Sequence, residues 1–264
     1  MMLAADVDEE HFESADALDT VWLHGFTQTA RSWRPLLSVP TLRNLTPRRL
    51  RIDLPGHGDS PVASGDLWNA ARQVIDTTIG HRFTRSVLVG YSMGGRIALH
   101  AALIRPDLWS GVILIGATPG LADLATRRTR RQSDERLSHR IGHIGVDAFL
   151  AEWLAQPMFA RLPPRPDDLT ERRRNTPEGL ASSLVHCGTG TQDDLRWRLG
   201  ELTMPALILA GALDPAFVTV GRELADLWGG EARFTEVPQA GHAAHLEQPT
   251  ATADLVAAWL DELT

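Results

Sequence analysis

Three residue types that can together make an activated nucleophile are spread through the chain: Ser92, Asp214 and His242. Ser92 lies in Gly90-Tyr91-Ser92-Met93-Gly94-Gly95-Arg96. A β-branched apolar run, Val87-Leu88-Val89, leads into it, and an amphipathic helical pattern (Ile97, Leu99, Ala101, Ala102, Ile104) follows at once. This pattern spells a nucleophile elbow, a strand-to-helix turn so sharp that the serine is held in a strained backbone conformation at its tip. Gly90 and Gly94 leave room for that turn, where a β-carbon would strike the neighbouring strand or helix. The competing reading is an ordinary strand–helix turn with an exposed serine, and the flanking strand and helix weigh against it.

A serine hydroxyl needs a base within hydrogen-bond reach, and the base needs an acid that fixes its tautomer. In elbow folds the chain order is serine, then an acid, then histidine. Asp214 follows the apolar strand Ala206–Ala210 in Gly211-Ala212-Leu213-Asp214-Pro215, and His242 follows Ala232–Val237 in Gln239-Ala240-Gly241-His242. Both fall just past strand C-termini, where a parallel sheet presents reactive groups. Singly, each has a plainer role: Asp before Pro commonly makes a turn or caps a helix, and His242 competes with His245. The Gly-terminated turn before His242 favours it, leaving His245 to open the final loop or helix. Negative charge on a reacting oxygen would be met by the amides of Met93, next after the nucleophile, and of Phe26, in His24-Gly25-Phe26 at the end of the first strand.

The elements that must position these groups alternate. Thr20–Leu23, Leu50–Leu54, Ser86–Gly90, Val112–Gly116, Met204–Leu213 and Ala232–Val237 read as strands; Ser32–Leu37, Leu67–Ile79, Met93–Ile104, Thr219–Trp228 and Thr250–Leu260 read as helices. That rhythm predicts an α/β fold, a mostly parallel sheet with helices on both faces. Residues 121–200 break it with helical periodicity alone (Asp123–Ile141, Val146–Leu154, Pro166–Arg174, Gly179–His186, Gln192–Leu199). The expected organisation is a flexible lead-in over 1–19, a core from 20–120 and 201–264, and a helical cap over 121–200. At 264 residues this is one large domain with an insertion.

Composition narrows the classes. The chain is 43% apolar with net charge −7, which argues against a nucleic-acid binder, and no apolar run is long enough for a bilayer. One cysteine, Cys187, excludes an internal disulfide and makes a reducing cytoplasm the default; the acidic start of the chain lacks the basic and apolar regions of a signal peptide. The ten histidines show no metal-ligand spacing, and Gly56-His57-Gly58 is too short for a nucleotide cradle, so neither metal nor cofactor is expected. All 26 basic residues are arginine. Thirteen fall in 121–200 against eleven acids, so this stretch carries +2 and the remainder −9. That concentration suggests an anionic ligand beneath the cap.

With the elbow, the His-Gly loop, Asp53-Leu54-Pro55-Gly56-His57-Gly58-Asp59-Ser60 and the Asp and His sites, the chain resembles the α/β-hydrolase superfamily. Thr118-Pro119-Gly120-Leu121, the arginine-rich stretch ending at Asp134, Trp153-Leu154-Ala155-Gln156-Pro157-Met158-Phe159, Gly179-Leu180-Ala181 and Gly188-Thr189-Gly190-Thr191-Gln192 narrow the resemblance. Over roughly 20–262 it is similar to the 2-succinyl-6-hydroxy-2,4-cyclohexadiene-1-carboxylate (SHCHC) synthases, lyases of menaquinone biosynthesis. The resemblance implies elimination of pyruvate from a polycarboxylate substrate read by arginines. The matching positions are Arg96, Arg130 and Arg172, with Arg173 and Arg174 leaving the last register open. It also makes Tyr91 and Trp153 pocket walls, with Phe26 and Trp33 as weaker candidates. Plainer readings stay beside these: Arg127, Arg130 and Arg131 share one helix stripe that solvent could cover, and the aromatics could be core packing. The alternative activity is a serine-triad hydrolase (carboxylesterase, thioesterase or carbon–carbon bond hydrolase) on an anionic substrate. A catalytically silent binding protein is the third class.

Overall fold

The computed structural model describes residues 1–9 and 18–263. Its strands are β1 (Ala5–Glu9), β2 (Thr20–Leu23), β3 (Arg48–Ile52), β4 (Ser86–Tyr91), β5 (Trp109–Ile115), β6 (Ala206–Gly211) and β7 (Ala232–Val237). Its helices are α1 (Arg34–Leu37), α2 (Pro40–Arg43), α3 (Leu67–Gly80), α4 (Met93–Ile104), α5 (Leu124–Leu154), α6 (Pro166–Arg172), α7 (Pro177–Cys187), α8 (Pro215–Leu227), α9 (Ala244–Glu247) and α10 (Pro249–Asp261). Seven strands form one sheet in the order β1-β3-β2-β4-β5-β6-β7, parallel except for β1.

The expected α/β architecture is what forms, and the central strands show why. Successive residues of β4 go to opposite faces: Leu88 joins Val21, Ile97 and Val112, while Val87 and Val89 join Trp22, Ile113 and Trp259. Both faces are covered, α3, α4 and α8 on one side and α1, α2, α9 and α10 on the other, so the strand reads as an unbroken apolar run. No helix among the described residues is long and apolar enough to cross a membrane.

The reading of residues 1–19 as a flexible lead-in needs correction. Residues 10–17 lie outside the described residues, but Ala5–Glu9 is an edge strand antiparallel to β3. Its acids face the basic residues of β3 in register: Asp6 opposite Arg51, Asp8 opposite Arg49, Glu9 opposite Arg48. Arg51 reaches Asp8 at 2.9 Å and Arg48 reaches Glu9 at 3.3 Å. Cross-strand charge pairing therefore supplies what the strand lacks in apolar residues, and a charged edge resists pairing with another sheet.

Between β5 and β6 the described residues contain helices and turns only. α5 and α7 pack around a small core of their own: Ile141, Phe149, Leu180 and Leu184. The two helices expected over 123–154 are present as the two arms of α5, which break at Gly145, whose backbone (φ 75°, ψ 173°) only glycine adopts readily. A β-carbon there would meet nothing within 4 Å. The helix expected over 192–199 is instead a 3-10 turn at Arg196–Glu201.

Candidate active site

Ser92 caps α4 with φ 49° and ψ −108°, off the normal regions for a residue with a β-carbon. Sheet and helix hold it there. Its N–H donates to the Ile115 carbonyl at 2.9 Å, and a β-carbon on Gly90 would lie 2.6 Å from the Gly94 carbonyl oxygen and the Gly95 backbone. Because Ser92 ends the strand, Met93 begins the helix and its N–H is one of the free donors of the first turn.

His242 Nε2 lies 3.4 Å from Ser92 Oγ, and its Nδ1 lies 2.9 Å from Asp214 Oδ2. The first distance is long, as such contacts often are before substrate binds. The two readings of Asp214 are both satisfied: Oδ2 takes the imidazole while Oδ1 caps α8 by accepting from Phe217 N–H at 3.4 Å. Phe217 in turn lies against the His242 ring, centroids 4.4 Å apart.

Glu247 is a residue that sequence reasoning missed. Its carboxylate accepts from Gly241 N–H at 2.6 Å and from Ala243 N–H at 2.9 Å, gripping the backbone on either side of His242. The available signal was an acid five residues after the histidine in an otherwise apolar stretch. His245 lies in the opening turn of α9, as expected, and is fully buried between the Trp33 and Tyr91 rings, with Gln28 at its Nε2. Burial first, and then the nearby Arg172 charge, hold that ring well below its usual pKa. Trp33 is correspondingly a core residue on Trp22 and His245 and lines no part of the site.

The triad opens into a cavity of about 330 Å³ whose walls include Phe26, Tyr91, Trp153, Phe159 and Phe217, and where Arg96, Arg130 and Arg172 converge. A larger hollow of about 470 Å³ between α1 and α6 touches neither Ser92 nor His242. Asp134 is the one carboxylate on the cavity lining, against three guanidiniums. Arg96 is 6% exposed and donates to the Cys187 carbonyl at 2.8 Å; burial pulls its pKa down to about 10, so it stays charged at neutral pH. Arg130 is aimed by Asp134 at 2.8 Å, and the same acid accepts from Gly190 N–H at 3.2 Å. Arg172 is buried, with Asp168 at 2.6 Å. Arg173 turns away to Asp147, and Arg174 to Glu171 and Asp59, which removes the ambiguity of register.

Gly25 lets Tyr91 approach, since a β-carbon there would lie 2.5 Å from its ring. Burial pushes the Tyr91 phenol upward, so it remains a hydroxyl. Trp153 packs edge-on to Phe26, and its indole N–H is buried without a partner, a donor available to a ligand. Cys187 also lines the cavity, but burial pushes its thiol up to about 12 and leaves it unreactive.

Behind the site, His24 and His57 pack edge to face, their pKa values lowered to about 4 and about 3 chiefly by burial; His100 is lowered to about 4 for the same reason. Folding keeps these rings neutral. Below the ordinary histidine pKa of 6.5 the unfolded chain takes up protons that the folded chain refuses. Stability present above pH 6.5 is therefore lost as pH falls toward 4, by about 1.4 kcal/mol per pH unit for each ring. Calorimetric melting should show the midpoint dropping between pH 7 and 5, with a shallower slope in His100→Gln.

The comparisons with known proteins identify the family. The profile of the alpha/beta hydrolase family matches residues 20–255. The chain is 37% identical over 257 residues to the 2-succinyl-6-hydroxy-2,4-cyclohexadiene-1-carboxylate synthase of Serratia proteamaculans (strain 568), covering 96% of each chain. It is 35% identical over 240 residues to the synthase of that name from Salmonella newport (strain SL254), covering 90% of this chain and 91% of the other. The structure of MenH from S. aureus superposes with a TM-score of 0.89 at 26% identity, over 100% of this chain and 99% of that one. The chain belongs to the alpha/beta hydrolase family and, within it, to the family of the 2-succinyl-6-hydroxy-2,4-cyclohexadiene-1-carboxylate synthases.

Proposed function

We propose that the protein is a carbon–oxygen lyase that eliminates pyruvate from 2-succinyl-5-enolpyruvoyl-6-hydroxy-3-cyclohexene-1-carboxylate to give SHCHC. One observation carries the reading: a serine–histidine–aspartate chain opens into a cavity where three arginines converge, with Asp134 the one carboxylate on the lining among the described residues and Asp168 behind Arg172. A neutral ester gives no reason to bury Arg96, whereas a substrate with several carboxylates matches the planar, two-pronged donors of guanidinium.

In this reading residues 121–200 act as a cap over the sheet core. Ser92 passes its proton to His242, which Asp214 orients, and the alkoxide removes the ring proton beside the succinyl-bearing carbon. The electron pair spreads through the conjugated system, and the Phe26 and Met93 amides stabilise the charge as the enolpyruvate carbon–oxygen bond breaks; the departing enolate takes the proton from His242 and ketonises to pyruvate, which restores the neutral serine and imidazole. Arg96, Arg130 and Arg172 hold carboxylates, while Tyr91 and Trp153 bound the ring. No bond from serine to substrate forms. The substrate is a small polycarboxylate, and the lone buried Cys187 fits a reducing, cytoplasmic setting.

The test is a lactate-dehydrogenase-coupled assay for pyruvate on the purified protein with the enolpyruvoyl compound, beside hydrolysis of a p-nitrophenyl ester. Release of pyruvate at least a hundredfold more efficient than ester cleavage is expected. Ester cleavage without pyruvate release would replace the lyase with a hydrolase.

A further inference from the structure

The turn carrying the Phe26 amide runs from Gly25 to Gln28, closed by Gln28 N–H to the Gly25 carbonyl at 3.1 Å. Its third residue is Thr27, with φ 67°. Glycine or asparagine is usual there, because a β-branched side chain in the left-handed region is strained. Such a conformation persists only where its surroundings over-determine it, and here every polar group of Thr27 is held. Its N–H donates to His57 Nε2 at 3.2 Å, its Oγ1 accepts from Arg172 Nη1 at 2.5 Å, and its carbonyl accepts from Asn175 Nδ2 at 2.8 Å.

Two of those three partners come from the helical segment between β5 and β6, not from the sheet core. Both polar atoms of the Asn175 side chain are engaged: Nδ2 also donates to the Arg172 carbonyl at 2.9 Å, and Oδ1 accepts from Gly58 N–H at 2.9 Å. It is 4% exposed and does not line the cavity. One side chain thus knots together the Phe26 turn, the Gly58 loop and the end of α6.

We propose that Asn175 is a positioning residue for the reaction: with Arg172, it holds Thr27 in its strained conformation and so aims the Phe26 amide at the developing oxyanion. The covering segment then sets the strength of the charge-stabilising site in the core, besides roofing it. Released from this hold, Thr27 relaxes toward negative φ, the turn is rebuilt, and the Phe26 N–H leaves its direction. The proposal rests on the reading that Phe26 N–H meets that charge.

The test is a double-mutant cycle, because glycine at 27 adopts the required φ without a tether. Asn175→Ala is expected to lower kcat for pyruvate release about 30-fold while KM stays within about twofold, since uniform substrate binding is untouched. Thr27→Gly is the reference background, since it also takes from Arg172 Nη1 its hydroxyl partner; adding Asn175→Ala to it is expected to lower kcat by no more than about threefold further. Asn175→Ser, which leaves a smaller hole, is carried in parallel with melting temperatures for all variants, so that lost folding is separated from lost aim.

A second readout needs no substrate. Phenylboronic acid binds when Ser92 Oγ bonds to boron and the serine proton passes to His242, which leaves a tetrahedral anion with one oxygen at the Phe26 and Met93 amides. Its Kd should rise in Asn175→Ala and Asn175→Ser and return in the Thr27→Gly background. Equal, additive losses in both backgrounds, or unchanged kcat and boronate affinity in folded Asn175 variants, overturn the proposal. If the wild type releases no pyruvate while the boronate cycle still shows coupling, the lyase reading falls and the role of Asn175 stands.

Discussion

Alanine at position 92 is expected to lower pyruvate release by roughly 10³- to 10⁴-fold, with KM changed by no more than a fewfold, in line with losing a positioned general base. In the proposed mechanism guanidiniums on α4, α5 and α6 hold the substrate, so deleting one hydroxyl would leave that grip intact and remove only the group that takes the proton. A residual rate should survive, because on the proposed mechanism the Phe26 and Met93 amides would still stabilise charge, and one oxyanion donor contributes on the order of 10²–10³. Intact-mass measurement of the wild type during turnover should show unmodified protein, since elimination forms no acyl-serine. Ser92→Ala retaining more than a tenth of wild-type activity would put the base elsewhere, with His242 the nearest replacement at 3.4 Å.

The second large effect belongs to Arg96. Replacing it with glutamine should lower kcat/KM by about 10²- to 10³-fold, the equivalent of roughly 3–4 kcal/mol, as expected when a buried charge-assisted contact loses its cation. Arg130→Gln should cost only about tenfold, because its side chain is 45% exposed and solvent screens its charge. Raising ionic strength should narrow the deficit of Arg130→Gln and leave that of Arg96→Gln nearly unchanged. Initial rates over a range of substrate and salt concentrations check both. A larger loss at 130 than at 96, or an unmoved KM in both variants, would mean that substrate carboxylates sit elsewhere.

What could be read from the amino-acid order was whatever side-chain type and period carry. The elbow was legible because its glycines, its apolar strand and its helix all fall within twenty residues. Asp214 and His242 were legible because parallel sheets deliver their chemistry at strand ends. β1 was not, because its stabilising partners are arginines some forty residues later, and an acidic run looks solvated until its counter-charges are placed opposite. Glu247 was hidden because it acts on backbone N–H groups, which leave no trace in the letters. The strain at Thr27 was hidden for the same reason: nothing in a threonine announces a positive φ. The burial of His245 was not legible, because nothing in its letter says that its ring lies as an aromatic wedge behind Tyr91.

The bend in α5 has a consequence for what related chains can accept. Arg130 stands on one arm of that helix and Trp153 on the other, and both face the cavity. The elbow-like joint between them depends on a single achiral residue, held there by its torsions and not by want of space, since an added β-carbon would meet nothing within 4 Å. Spacing between cation and indole is thereby written in one pair of torsions. A lineage that swapped Gly145 for any chiral residue would have to straighten the span, and so change the breadth of molecule admitted, without altering one wall residue.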